Sequence, residues 1–182
     1  MKIIASILLL SIFSIGFCDE PKPQRDYIVE SPNGMYFMVV YCDESWGSHT
    51  VKNQEIRLKY KEAGIYSQDG QLISKIQNHM WGGIVTNHGI GFGLGQWALL
   101  DEKDETSFFI CKNNKMIGIK ANEIISNFDN VPKSVSHYES IFSMNYIDER
   151  NYVIIVTYEQ KALIYDHETG EVANIKNTRR YK

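Results

Sequence analysis

Alternation of hydrophobic and polar positions is clearest near the end of the chain, over residues 151–175 (NYVIIVTYEQKALIYDHETGEVANI). Three runs rich in β-branched and aromatic residues, 152–158, 162–166 and 171–175, are parted by Glu159-Gln160-Lys161 and by His167-Glu168-Thr169-Gly170. Such side chains suit a pleated, half-buried surface and short polar interruptions suit reversals, so the pattern predicts strand, turn, strand, turn, strand.

Weaker copies of this punctuation occur twice upstream. In the first, 26–30 and 35–42 read as strands around Ser31-Pro32-Asn33-Gly34, and 43–53 as a polar loop carrying Trp46 and His49. Residues 54–60 and 64–67 read as two more strands, and Gln68-Asp69-Gly70 as a tight hairpin turn into 71–76. In the second copy, strands are expected at 81–85 and 90–100 around Thr86-Asn87-His88-Gly89, followed by an acidic loop at 101–105. Strands at 106–111 and 115–120 then flank Lys112-Asn113-Asn114, and Ile124, Ile125 and Phe128 fall at helical spacing in a short helix over 121–128. A third copy starts at 138–147, reverses at Asp148-Glu149-Arg150-Asn151 and ends in the hairpin described first.

Two turn classes therefore alternate, with Gly34, Gly89 and Asn151 in one and Gly70, Asn114 and Gly170 in the other. This divides a single all-β domain, 26–176, into units at 26–78, 79–137 and 138–176. An irregular period of about fifty residues with four strands per unit is the mark of propeller-type blades, which close in rings of about four to eight. Three units leave a partial propeller, association of the chain with itself, or a compact barrel or sandwich.

Ser-Pro-Asn-Gly at 31–34, the hairpins at 66–76 and 165–175, and the helix at 122–128 followed by Val135-Ser136-His137 lie behind an export signal. In this combination the chain resembles small exported bacterial proteins, of uncharacterised function, built from propeller-like repeats. The resemblance implies fold and export, and it brings no catalytic residue with it.

The export signal is read from residues 1–18: Lys2 precedes a mostly apolar run at 3–15, short for a bilayer span and suited to a signal-peptide core. Cleavage is expected before Phe17 or before Asp19; lipidation of Cys18 is the alternative, against which bulky Phe17 stands where a small residue is expected. No transmembrane segment is expected once the signal is removed. A polar linker at 19–25 carries Pro21 and Pro23, and 177–182 is a basic tail. Hydrophobic residues make up 43% of the 182, enough for one core, and the formal charge of −3 does not suit a nucleic-acid surface. Cys42 and Cys111 could form one bridge in an oxidising compartment or stay apart as strand thiols. No cysteine or histidine spacing suggests zinc, no ordered aspartate loop suggests calcium, and no cofactor is expected.

The most unusual stretch is Gly89-Ile90-Gly91-Phe92-Gly93-Leu94-Gly95-Gln96-Trp97. In an extended strand its four glycines share one face and Ile90, Phe92, Leu94 and Gln96 the other. It lacks the step and the following helix of a dinucleotide site. Large rings, Trp81 among them, are expected to lie flat on the bare face.

Candidate binding residues are Trp46 and His49 in the polar loop, Trp81 and Trp97 on strands, and His137 in the connection. All five histidines fall in or beside turns, without a nucleophile elbow or a paired-carboxylate motif. The reading is an exported, non-enzymatic binding or scaffold module whose partner is another envelope protein or a second copy. The alternative is a small extracytoplasmic hydrolase, which requires loop histidines such as His79, His88 and His137 to converge with a carboxylate.

Overall fold

The computed structural model describes residues 23–95, 98–99, 101–134, 137–166 and 172–175. Strand outweighs helix, 45% against 16%, and the chain is all-β. Three four-stranded antiparallel meanders follow one another. Sheet I contains β2 (Tyr27–Glu30), β3 (Tyr36–Val40), β5 (Gly64–Ser67) and β6 (Leu72–Lys75). Sheet II contains β7 (Gly83–Val85), β8 (Gly91–Leu94), β10 (Thr106–Lys112) and β11 (Lys115–Lys120). Sheet III contains β13 (Ile141–Ile147), β14 (Tyr152–Thr157), β15 (Ala162–Asp166) and β16 (Val172–Ile175). In each, neighbours in sequence are neighbours in the sheet, and no sheet closes into a barrel among the described residues. Two small pairings complete the set: β1 (Gln24–Arg25) parallel to β4 (Thr50–Val51), and β9 (Ala98–Leu99) antiparallel to β12 (His137–Tyr138).

The first turn of each meander is the same device. The amide of Gly34 donates to Ser31 O, that of Gly89 to Thr86 O and that of Asn151 to Asp148 O, at 2.9, 3.1 and 3.1 Å. The donor residue is left-handed in each case, with φ of 70°, 69° and 53°. Glycine reaches this region without a Cβ clash and asparagine tolerates it, which is why these residues recur there. The three turns also meet. Asn33 N donates to Asn87 Oδ1 at 2.9 Å, Asn87 Nδ2 donates to the Asp148 carboxylate, and His88 Nε2 lies 2.9 Å from Asn151 Oδ1. The second turn class appears at Gly70 (φ 87°) and at Asn113-Asn114 (φ 52° and 60°); Gly170 lies outside the described residues.

The turn between β14 and β15 places Gln160 at φ 60°. A non-glycine residue there carries a strain of about 1–2 kcal/mol. Gln160→Gly is therefore expected to raise stability by about 1 kcal/mol after the entropy that glycine loses on folding, read as a higher urea midpoint at unchanged slope.

Packing uses both faces of sheet II. Its glycine face meets sheet I, but methionines cover it rather than aromatic rings. A Cβ at Gly93 would lie 2.0 Å from Met80 Sδ, one at Gly91 3.0 Å from Met38 Sδ and 2.9 Å from Ile65 Cδ1, and one at Gly83 2.5 Å from Met38 Cε. An unbranched, polarizable side chain follows bare backbone more closely than a rigid ring does. Of the rings, Tyr36 does lie against Gly89, within 2.8 Å of where its Cβ would be. The opposite face carries Phe92, Phe108 and Ile110 against Val153, Ile155, Leu163 and Tyr165 of sheet III, with the Phe92 and Tyr165 rings 5.1 Å apart and edge to face.

Four local expectations are corrected. Residues 54–60 form not a strand but helix α1 (Gln54–Lys59), whose N-cap Asn53 accepts from Glu55 N and Ile56 N at 3.0 and 3.2 Å. The alternation of Ile56, Leu58 and Tyr60 imitates a strand, but good helix formers behind an asparagine cap outweigh it. Within the polar loop, Glu44–His49 forms a 3-10 turn. The long strand expected at 90–100 appears as β8 (Gly91–Leu94) and β9 (Ala98–Leu99), and Gly95 after β8 passes so close to Thr106 that a Cβ would stand 1.7 Å from its carbonyl oxygen. The helix expected over 121–128 is only α2 (Ala121–Ile124). The Glu159 carboxylate takes the amides of Ser126 and Asn127 at 2.7 and 2.6 Å, and a separate 3-10 turn follows at Phe128–Asn130.

Candidate functional site: a tryptophan-lined groove

The connection from sheet I to sheet II carries His79, Met80 and Trp81. Met80 is fully buried, and Tyr27 Oη donates to its carbonyl at 2.9 Å, which holds the connection against β2. Met80 is turned into the core, and His79 and Trp81 on either side of it come together outside; Trp81, expected on a strand, lies in the connection before β7. The His79 and Trp81 ring centroids are 5.6 Å apart. His79 Nδ1 is 2.8 Å from the Tyr41 carbonyl oxygen. A carbonyl only accepts, so Nδ1 carries the proton and Nε2 presents a lone pair. Burial lowers the imidazole pKa, the bond to Tyr41 opposing it, and His79 is neutral at pH 7.

Trp46 reaches the same place from the 3-10 turn in the sheet I insertion. Its ring meets Trp81 at 5.5 Å with the planes inclined by 68°. Asp43 caps that turn through Ser45 N at 2.9 Å and is itself held by Gln24, whose Oε1 accepts from Asp43 N at 2.7 Å. Beneath lies the Asp26 carboxylate, wholly buried at its side chain. It accepts from Arg57 Nε and Nη2 at 2.6 and 3.0 Å, from Cys42 N at 2.8 Å and from Asn53 N at 2.9 Å. Burial raises the pKa of Asp26, but the four donors more than offset it and hold the carboxyl well below the usual carboxylate range. The Arg57 guanidinium also lies over the Tyr41 ring, 4.6 Å from its centroid, and donates to Glu44 at 2.8 Å. One ion pair thus ties α1, β2 and the Trp46 turn together.

The result is a groove of about 910 Å³ lined by Tyr41, Asp43, Trp46, His79, Trp81 and Glu105 among others. A smaller cleft of about 280 Å³ opens between sheets II and III, and Trp81, Glu105 and Thr106 line both. Of the residues singled out in the sequence, Trp46 and Trp81 come together. His49 is exposed at the end of the 3-10 turn and does not line the groove. Trp97 and the side chain of His137 lie outside the described residues; the backbone of His137 pairs with Leu99. Cys18, the signal segment and the basic tail also lie outside them. Among the other groove residues, Tyr41, Asp43 and Glu105 are not candidates from the sequence, and His79 is one only as a loop histidine of the hydrolase alternative. The His-x-Trp spacing at 79–81 was the signal for His79.

His79 is held by Tyr41 of the sheet I insertion and His88 bonds to Asn151 of sheet III, so these two histidines serve different elements. Cys42 and Cys111 are both buried free thiols, and the bridge left open by the sequence is not made. Burial pushes Cys111 up to about 12, and burial with the Asp26 carboxylate raises Cys42, so both stay protonated and poorly nucleophilic. Among the described residues no group of three or more His, Cys, Asp or Glu is placed to hold a metal ion, and no helix is long and apolar enough to cross a membrane. The groove presents ring faces, a neutral imidazole and carboxylates. Comparison with family models, curated proteins and solved structures finds no match to this chain.

Proposed function

We propose that the chain is an exported, non-enzymatic binding module of the extracytoplasmic space, with ligand contacts in the Trp46–Trp81 groove. The observation that carries this reading is the meeting of two half-exposed tryptophans from separate segments in one groove, with the Trp46 turn tied to α1 through the pairing of Arg57 with Glu44 and Asp26. Large, stiff aromatic surfaces give contact area at low entropic loss, which suits recognition. Export is supported by Lys2 and the apolar run that follows, and kinship with exported propeller-like repeat proteins by the three sequential meanders. The natural partner is another envelope protein presenting a segment to the groove.

Two measurements test this. Fractionation of cells expressing the full chain should place it outside the cytoplasm with the signal removed. Indole NMR shifts of Trp46 and Trp81, read against neutral, anionic and cationic peptides and a saccharide, should respond to at least one class. Trp46→Ala is expected to weaken that binding about tenfold while leaving the unfolding midpoint within about 1 kcal/mol of wild type, since the side chain is only half-buried. Retention in the cytoplasm, or indoles indifferent to every probe, would overturn the reading.

A further inference from the structure

Glu105 is half-buried and, like Trp81, lines both clefts, and among the described residues its carboxylate has no hydrogen-bond or ion-pair partner. The other acidic groups nearby are engaged. Glu44 is paired with Lys52 and Arg57, Glu62 with Lys75, Asp43 accepts from Ser45 N, and Glu139 accepts from Tyr158 Oη. Lys61 is the one lining cation of the larger groove without an ion pair among the described residues, and it is exposed; the smaller cleft is lined by Glu105 and Glu139 and by no lysine or arginine. The Trp46 and Trp81 rings, inclined by 68°, form a corner of aromatic surface in the same groove that Glu105 lines.

A π-face attracts a cation, and a nearby carboxylate adds to that attraction while water is partly excluded. We propose that the Trp46–Trp81–Glu105 corner binds an organic cation, a guanidinium or alkylammonium head, supplied by a basic peptide segment or by a free amine. This deepens the reading of the groove as a binding surface and rests on it. The neutral state of His79 at pH 7 leaves the approach open, because a charged imidazole beside Trp81 would repel the ligand.

The test uses the full mature chain and two matched probes, N-acetyl-arginine amide and its uncharged isostere N-acetyl-citrulline amide, read by tryptophan fluorescence and indole NMR. The arginine probe should bind about tenfold more tightly than the citrulline probe. Glu105→Gln should erase that preference with an unchanged circular dichroism spectrum and melting temperature, and Trp81→Phe should weaken binding of the arginine probe. The capped tripeptide N-acetyl-Gly-Arg-Gly amide binding more tightly than the single capped residue assigns the cation to a peptide segment, and butylammonium binding as tightly as either assigns it to a free amine. Equal affinity for the two matched probes, or an arginine affinity untouched by Glu105→Gln, overturns the proposal. If a citrulline or saccharide probe shifts the indoles while arginine has no advantage, the cation assignment fails and the binding-module reading stands. If nothing shifts them, both fail.

Discussion

Arg57→Ala is expected to destabilise the protein by about 3–5 kcal/mol, because it leaves the Asp26 carboxylate buried without its counter-charge. The loss should not be uniform along the chain. Asp26 also holds Cys42 N and Asn53 N, so protection of amides in the 41–63 insertion should fall first in hydrogen exchange. The pH dependence gives an independent check. The folded-state pKa of Asp26 is depressed, so its contribution is fully present above the ordinary carboxyl value of 3.8 and is lost as pH falls below that value through the folded one. In Arg57→Ala the unpaired carboxyl is instead easier to protonate folded than unfolded, and acid relieves its burial. The stability gap between the two proteins should therefore narrow as pH falls through the carboxylate range. A gap that stays constant from neutral pH into acid would show that Asp26 and Arg57 are not coupled in this way.

Gly95→Ala is expected to cost about 3 kcal/mol, the upper end for overpacking, although only one methyl is added. The atom it meets, Thr106 O, belongs to backbone and cannot rotate aside. Gly91→Ala serves as the control: its nearest neighbours are the far ends of the Ile65 and Met38 side chains, at 2.9 and 3.0 Å, which can give way. Urea unfolding should thus separate two identical substitutions in one glycine run, Gly95 costing clearly more than Gly91. Because Thr106 and Glu105 line the groove, Gly95→Ala should also disturb the Trp81 indole resonance, whereas Gly91→Ala should not. Equal costs at the two positions would show that the close approach of the Thr106 carbonyl does not make Gly95 the less tolerant site.

Reversals and alternation were legible in the chain because they are local. A left-handed residue needs glycine or asparagine wherever it occurs, so Gly34, Gly89 and Asn151 marked the three equivalent turns. Period-two patterning likewise separated the glycine face of β8 from Ile90 and Phe92. Local signals failed where two of them competed, as in α1, whose strand-like spacing hid an asparagine cap. What covers each face is a different kind of question. Met38 and Met80 reach the glycines from sheet I and from the connection after it, and nothing near Gly91 or Gly93 in sequence specifies a methionine over a ring.

The groove belongs to that second kind. Trp46 and Trp81 stood out as residues in the sequence, but their meeting depends on an insertion pinned by Asp26 and Arg57 and on a connection anchored by Tyr27. In the sequence Glu105 is one charge in an acidic loop, and only packing sets it half-buried in the lining of two clefts without a partner among the described residues. By itself the sequence determined where the chain bends, which faces are apolar and that the result is a run of antiparallel meanders, because backbone conformation and burial pattern are written residue by residue. The tertiary structure decided which faces meet and which side chains converge, since those contacts join positions tens of residues apart and depend on shape and charge that no short stretch contains.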